Sequence, residues 1–187
     1  MKTRIHILIA LSGLDPENPV RKRPENLRKI LTAALATNDL KQICQAIDSG
    51  ISSNSSVTRL AVAAGIHRTT LFRAFRVQKG PSLDTMMRVI RVLGFQLIVK
   101  EKSKNNSFTA KRSRAFAQAL ESQNMELLGE LFAAAYREQD THAVFAEKAG
   151  ISREQLYRLF KGPKTPRLGT VVAYLNALNL RFSVQRI

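Results

Sequence analysis

Apolar residues recur at intervals of three and four along most of this chain, which is the spacing of one helix face. Leu27, Ile30, Leu31, Ala34 and Leu35 form the first such stripe and predict a helix. Asn38-Asp39 then suits an N-cap, because a short polar side chain can accept a hydrogen bond from the free N–H groups of a helix start. Leu40, Ile43, Cys44 and Ile47 continue as a second stripe. The polar run Ser52-Ser53-Asn54-Ser55-Ser56 interrupts it and offers another cap. Val57 to Ala64 reads as a short helix, Gly65 as a turn, and His67 to Arg76 as the next helix, closed by Lys79-Gly80-Pro81. Ser82 caps a fifth helix carrying Leu83, Met86, Met87, Ile90 and Leu93. Gly94 stops it, and Phe95 to Val99 reads as a short strand.

The same pattern then recurs. Ala64-Gly65-Ile66-His67-Arg68-Thr69-Thr70-Leu71-Phe72-Arg73-Ala74-Phe75 is echoed by Ala149-Gly150-Ile151-Ser152-Arg153-Glu154-Gln155-Leu156-Tyr157-Arg158-Leu159-Phe160, at a constant offset of 85 residues. Without a gap, that offset pairs Ala34-Leu35 with Ala119-Leu120, Pro81 with Pro166, Thr85 with Thr170 and Leu93 with Leu178. The likenesses fall mainly where a helix would face its core, as an internal duplication requires. Ser152 and Gln155 have the spacing of a capping box. Leu180 to Arg186 alternates like a half-buried strand.

The chain is therefore expected to be mainly α, with two tandem domains of about five helices each. Residues 1–24 are read as an N-terminal arm and linker, 25–100 as the first domain, 101–112 as a polar linker and 113–187 as the second domain. Ile5-His6-Ile7-Leu8-Ile9 reads as a further strand. Such short strands are not stable alone. They are expected to pair with one another and tie the copies into one body, with a frayed tail as the alternative.

Charge narrows the partners. The 187 residues carry 30 Lys and Arg against 14 Asp and Glu, a formal charge of +16. The excess is shared, with 16 basic and 6 acidic residues in 1–100 and 14 and 8 in the remainder, so no basic tail hangs on a neutral body. Such a surface attracts polyanions, chiefly nucleic acid or an acidic membrane face. No apolar run reaches membrane-spanning length, and the start of the chain lacks a cleavage site after its short apolar core. A cytoplasmic, nucleoid-associated protein is expected. The single Cys44 can form no intrachain disulfide and, lying in a helical pattern, reads as a buried inert thiol. There is no glycine-rich phosphate loop and no metal-spaced His/Cys cluster. No enzyme activity and no cofactor are expected.

A helix-turn-helix needs a small residue where its helices cross, a turn residue tolerant of positive φ, and apolar anchors on both sides. Leu60-Ala61, Ala64-Gly65-Ile66 and Leu71-Ala74 supply these once; Phe145-Ala146, Ala149-Gly150-Ile151 and Leu156-Leu159 supply them again in the same register. The second helix of such a pair enters the major groove and presents its leading residues to base edges. Those residues are His67, Arg68, Thr69, Thr70 and Arg73 in the first copy, and Ser152, Arg153, Glu154, Gln155 and Arg158 in the second. Arg can bond guanine bidentately, Gln adenine and Glu a cytosine amino group, while a Thr methyl can meet that of thymine. Arg76, Lys79, Lys161, Lys164 and Arg167 follow these helices and suit phosphates. Duller roles stay open: a cap for His67, packing for Phe72 and Tyr157, plain surface charge for Arg73 and Arg158, and the helix dipole for Glu154. The two reading faces differ, so two different half-sites are expected.

The run Ala-Gly-Ile-x-Arg-x-x-Leu-Phe/Tyr-Arg, then Pro-x-Leu-x-Thr, then Leu and a short strand, resembles the lambda-repressor-like helix-turn-helix family. The nearest branch is the antidotes of addiction modules, similar to HigA-type antitoxins and prophage DNA-binding proteins. The resemblance implies five-helix domains that dimerise on double-stranded DNA and repress their own operon. It maps Arg68, Thr69, Thr70, Arg153, Glu154 and Gln155 onto the base-reading segment. The duplication, the arm and the linker depart from the family pattern. The resemblance also leaves open an antitoxin or antiactivator that masks a protein partner (a toxin or an activator), and self-association into a homodimer.

Overall fold

The structure, a computed structural model, describes residues 22–54, 56–76, 80–102, 110–138, 141–158 and 165–187. The strand expected at Ile5–Ile9 lies outside them, as do Lys79, Lys161 and Lys164. In the first half the described elements are α1 (Lys22–Thr37), α2 (Leu40–Ser52), α3 (Val57–Ala63), α4 (Arg68–Ala74), α5 (Leu83–Val92) and β1 (Phe95–Glu101). The second half repeats the order with α6 (Ala110–Glu121), α7 (Met125–Arg137), α8 (His142–Ala149), α9 (Arg153–Arg158), α10 (Leu168–Ala177) and β2 (Leu180–Arg186).

Local chemistry fixes these boundaries. Asp39 accepts from the Gln42 N–H at 3.0 Å, Ser56 from Arg59 at 3.2 Å and Ser82 from Thr85 at 3.2 Å, so the three expected caps all form. Three edges differ from the sequence reading. α1 starts at Lys22, inside the stretch read as an arm; Pro24 is tolerated because the N–H it lacks would be unpaired in a first turn anyway. β1 runs on to Glu101 and α6 begins at Ala110, so both enter the stretch read as a linker. Ile30, expected in the buried stripe, is exposed, because Leu31, Ala34 and Leu35 define a face at whose edge it lies.

β1 and β2 pair antiparallel and join the halves, with Ile98 opposite Ser183 at the centre. The core-facing residues Phe95, Leu97, Val99, Leu180, Phe182 and Val184 are all buried. Helices then cross over: α1 packs on β2, and α6 packs on β1. Asn38, buried at the end of α1, donates to the Leu180 carbonyl at 2.8 Å and to Asn176 Oδ1 at 3.2 Å. In the opposite sense, the Gln96 amide donates to Glu121 at the end of α6 at 3.3 Å. One core runs through both halves. Among the described residues no helix is long and apolar enough to cross a membrane.

The halves fill equivalent core positions differently. Leu31, Ile47, Ile51, Leu60 and Val89 in the first half correspond to Phe116, Phe132, Tyr136, Phe145 and Tyr174 in the second, and all ten are buried. Within the aromatic set Phe132 meets Phe116 and Tyr174 edge to face, at 4.9 and 5.0 Å between ring centres. Tyr174 donates its hydroxyl to the Phe132 carbonyl at 3.0 Å, and burial holds that phenol well above its ordinary pKa. Tyr136 shares a 2.5 Å hydrogen bond with His142 Nε2.

Candidate nucleic-acid interface

Each half builds a helix-turn-helix from the expected residues. In the first, buried Leu60 and Ala61 seat α3 on the core, and the small Ala61 side chain leaves room for α4. Gly65 turns the chain at φ +61°, a left-handed conformation that a side chain would strain. The Ile66 N–H then bonds back to the Ala61 carbonyl at 2.9 Å, and buried Leu71 and Phe75 anchor α4. In the second half Gly150 turns at φ +63°, Ile151 bonds back to Ala146 at 3.0 Å, and Leu156 anchors α9. The equivalent turn bonds join equivalent residues.

This seating leaves the leading face of each second helix in solvent. His67, Arg68, Thr69, Thr70 and Arg73 are exposed on the first, and Ser152, Arg153, Glu154 and Gln155 on the second. Of Arg158 the backbone alone is described. The two faces differ in freedom. Ser152 and Gln155 form a reciprocal capping box, each side chain accepting from the other's backbone N–H at 3.0 Å. The Gln155 carbonyl oxygen is therefore already engaged, which competes with the bidentate adenine contact that the sequence suggested. His67 stands at the equivalent N-cap but makes no side-chain capping bond, so its imidazole projects freely. Glu154 lies in the first turn of α9, where the helix dipole favours a carboxylate.

Phe72 serves as a platform. The guanidinium groups of Arg68 and Arg76 lie 5.7 and 5.6 Å from its ring centre, within cation–π range. Arg76 also pairs with Asp48 at 3.2 Å; Arg76 is exposed and Asp48 half-buried, so solvent screens the pair and weakens it. Tyr157, the equivalent of Phe72, is exposed. Arg167, suggested for phosphate, donates to the Gly80 carbonyl at 3.4 Å and so bridges the two halves.

Two further cations flank the first motif that the residue pattern does not single out, since neither stands on a second helix or directly after it. Arg59 is exposed on α3. Arg88, on α5, pairs with Asp84 at 3.0 Å and extends its guanidinium over the Gly65 turn, 3.6 Å from where a Cβ would stand. Their equivalents in the second half are Val144, also exposed, and Ala173.

Comparison with known proteins agrees with this geometry. Residues 19–101 match a family described as "Probable addiction module antidote protein", and residues 135–185 match a helix-turn-helix family. An uncharacterized protein of Haemophilus influenzae is 36% identical over 69 residues, which cover 37% of this chain and 70% of that relative. No solved structure matches.

Proposed function

The chain belongs to the family of probable addiction module antidote proteins, and from that premise we propose that it is a sequence-specific, double-stranded DNA-binding repressor that reads two half-sites with α4 and α9. The observation that carries this reading is the pair of solvent-facing helices, each seated by a helix-turn-helix and led by an arginine, on a chain of charge +16. Arg68 and Arg153 occupy equivalent positions and would each take a guanine edge. His67, Thr69, Thr70 and Arg73 complete the first reading face; Ser152, Glu154 and the amide nitrogen of Gln155 complete the second. Arg59, Arg76 and Arg88, with Lys79, Arg158, Lys161 and Lys164, would hold phosphates and supply affinity without sequence.

Repression of the chain's own operon follows if the site overlaps its promoter. The test is a gel shift on the upstream region. Arg68→Ala and Arg153→Ala should each weaken specific binding roughly ten- to hundredfold, the worth of a bidentate base contact, and leave non-specific binding nearly unchanged. Unaltered specificity in both variants would refute the proposal.

A second reading has its own support. Val144 and Tyr157 are large, apolar and exposed beside the second motif, and Glu126 and Glu130 line a cleft next to Tyr157. That surface suits a protein partner such as a toxin or an activator more than it suits phosphate. Co-purification of a small partner that is lost on Tyr157→Ala, with DNA binding intact, would favour it.

A further inference from the structure

We propose that the two half-sites stand as an inverted repeat on one duplex, and that a single chain reads both; this rests on the DNA-reading function above. Domains strung along a chain would by default be related by translation and would read direct repeats. The halves here are related by a twofold axis instead. The Leu83 N–H bonds to the Pro166 carbonyl at 2.9 Å, and the Leu168 N–H bonds to the Pro81 carbonyl at 2.8 Å. Residues 83 and 168, and 81 and 166, are equivalents at the offset of 85, so the contact is its own mirror under exchange of the halves. The same exchange relates Lys102 N–H to Asn179 O at 3.0 Å and Ile187 N–H to Gly94 O at 3.3 Å. It also relates every rung of the β1–β2 ladder, in which Ile98 meets its own equivalent, Ser183, and it relates the bridge between Ser82 and Arg167.

A self-complementary contact of this kind is what a twofold dimer makes between identical surfaces. Here it is made within one chain. The mutual packing of α1 on β2 and α6 on β1 fixes the axis, so the halves cannot slide into a head-to-tail arrangement. Two equivalent readers related by a twofold axis can engage one duplex in equivalent poses only if the half-sites share that axis. An inverted repeat follows, whatever its spacing.

The repeat is disguised because the readers have diverged. His67-Arg68-Thr69-Thr70 and Ser152-Arg153-Glu154-Gln155 share only the arginine. Making the readers alike should unmask the symmetry. The variant Ser152→His/Glu154→Thr/Gln155→Thr gives both helices the first reading segment. The converse His67→Ser/Thr69→Glu/Thr70→Gln gives both the second, and it installs a capping box rather than removing one. Each full-length variant is used to select binding sites from a random duplex pool, alongside the unaltered chain, and the complexes are weighed by native mass spectrometry.

The expected product is a near-perfect inverted repeat bound by one chain, roughly 100-fold tighter than the same half-sites in direct orientation. Either variant yielding this result supports the proposal. A direct repeat, a lone half-site, or two chains per duplex with each covering one half would overturn it while leaving DNA reading intact. No enrichment from any of the three proteins would overturn the DNA-reading function itself, and this inference with it.

Discussion

The first and second halves of this molecule are two solutions to one packing problem. Leu31, Ile47, Ile51, Leu60 and Val89 fill the first core, and Phe116, Phe132, Tyr136, Phe145 and Tyr174 fill the second, yet the helices and strand fall in the same order. What is shared is the placing of apolar positions, the turns at Gly65 and Gly150, and the caps at equivalent sites (Asp39 with Asn124, Ser56 with Thr141). The backbone is thus specified by pattern and punctuation, while side-chain identity is free to change in compensating sets. The surfaces have diverged as well. The first motif is flanked by Arg59 and Arg88 where the second has Val144 and Ala173, and it is led by His67, Thr69 and Thr70 where the second has Ser152, Glu154 and Gln155. On the proposed DNA-reading function, the first half would supply more of the phosphate affinity than the second.

The most severe way to probe this contrast is through the cores. Tyr174→Ala removes an aromatic ring and a hydroxyl bond and should cost about 3–5 kcal/mol. Its equivalent Val89→Ala should cost about 1.5 kcal/mol, since it removes two methyl groups. Urea unfolding measures both. Because one core spans the two halves, each variant should unfold in a single transition by every probe, and two separated transitions would break the view of interlocked halves.

Next in size are the surface differences. Arg59→Ala and Arg88→Ala should weaken binding to all sequences alike and each lower the slope of log affinity against log salt by about 1, while Val144→Arg should raise that slope by a similar amount. Smaller still is the capping box. Ser152→Ala should destabilise the chain by about 1 kcal/mol. His67→Ala should be nearly neutral to stability, since no capping bond is lost, although it trims the first reading face.

The last probe is Cys44, whose thiol burial pushes up to about 11. The folded chain keeps it protonated, so its contribution to stability is present below about pH 9 and is lost as pH rises towards about 11. At pH 8 a thiol-specific reagent should label it only in step with unfolding.

Much of this was legible in the sequence. The caps at Asp39, Ser56 and Ser82, the box of Ser152 with Gln155, the turn glycines and the strand Leu180–Arg186 all follow from local chemistry that needs no distant partner. The pairing of β1 with β2 was also expected, from the instability of either strand alone. The exchange of α1 and α6 between strands was not legible, because the offset of 85 residues says that two units are alike and is silent about the operation relating them. Arg88 was missed for the same reason: it is far from the motif in sequence and reaches Gly65 only through the tertiary fold. Ile30 misled because an apolar residue at the edge of a stripe has the right spacing and the wrong angle. Arg76 has suitable chemistry for a phosphate, but no residue pattern reveals its pairing with the distant Asp48, whereas the capping-box spacing already shows that the Gln155 carbonyl oxygen is engaged.

The docking of α1 on β2 has a consequence for how the protein is made. A nascent chain emerges from the ribosome N-terminal end first, and Leu31 and Leu35 on α1 await a strand that is translated well after them. On the order of ten seconds of synthesis separate the two. Until then the side of α1 that meets the strand has no cover from it.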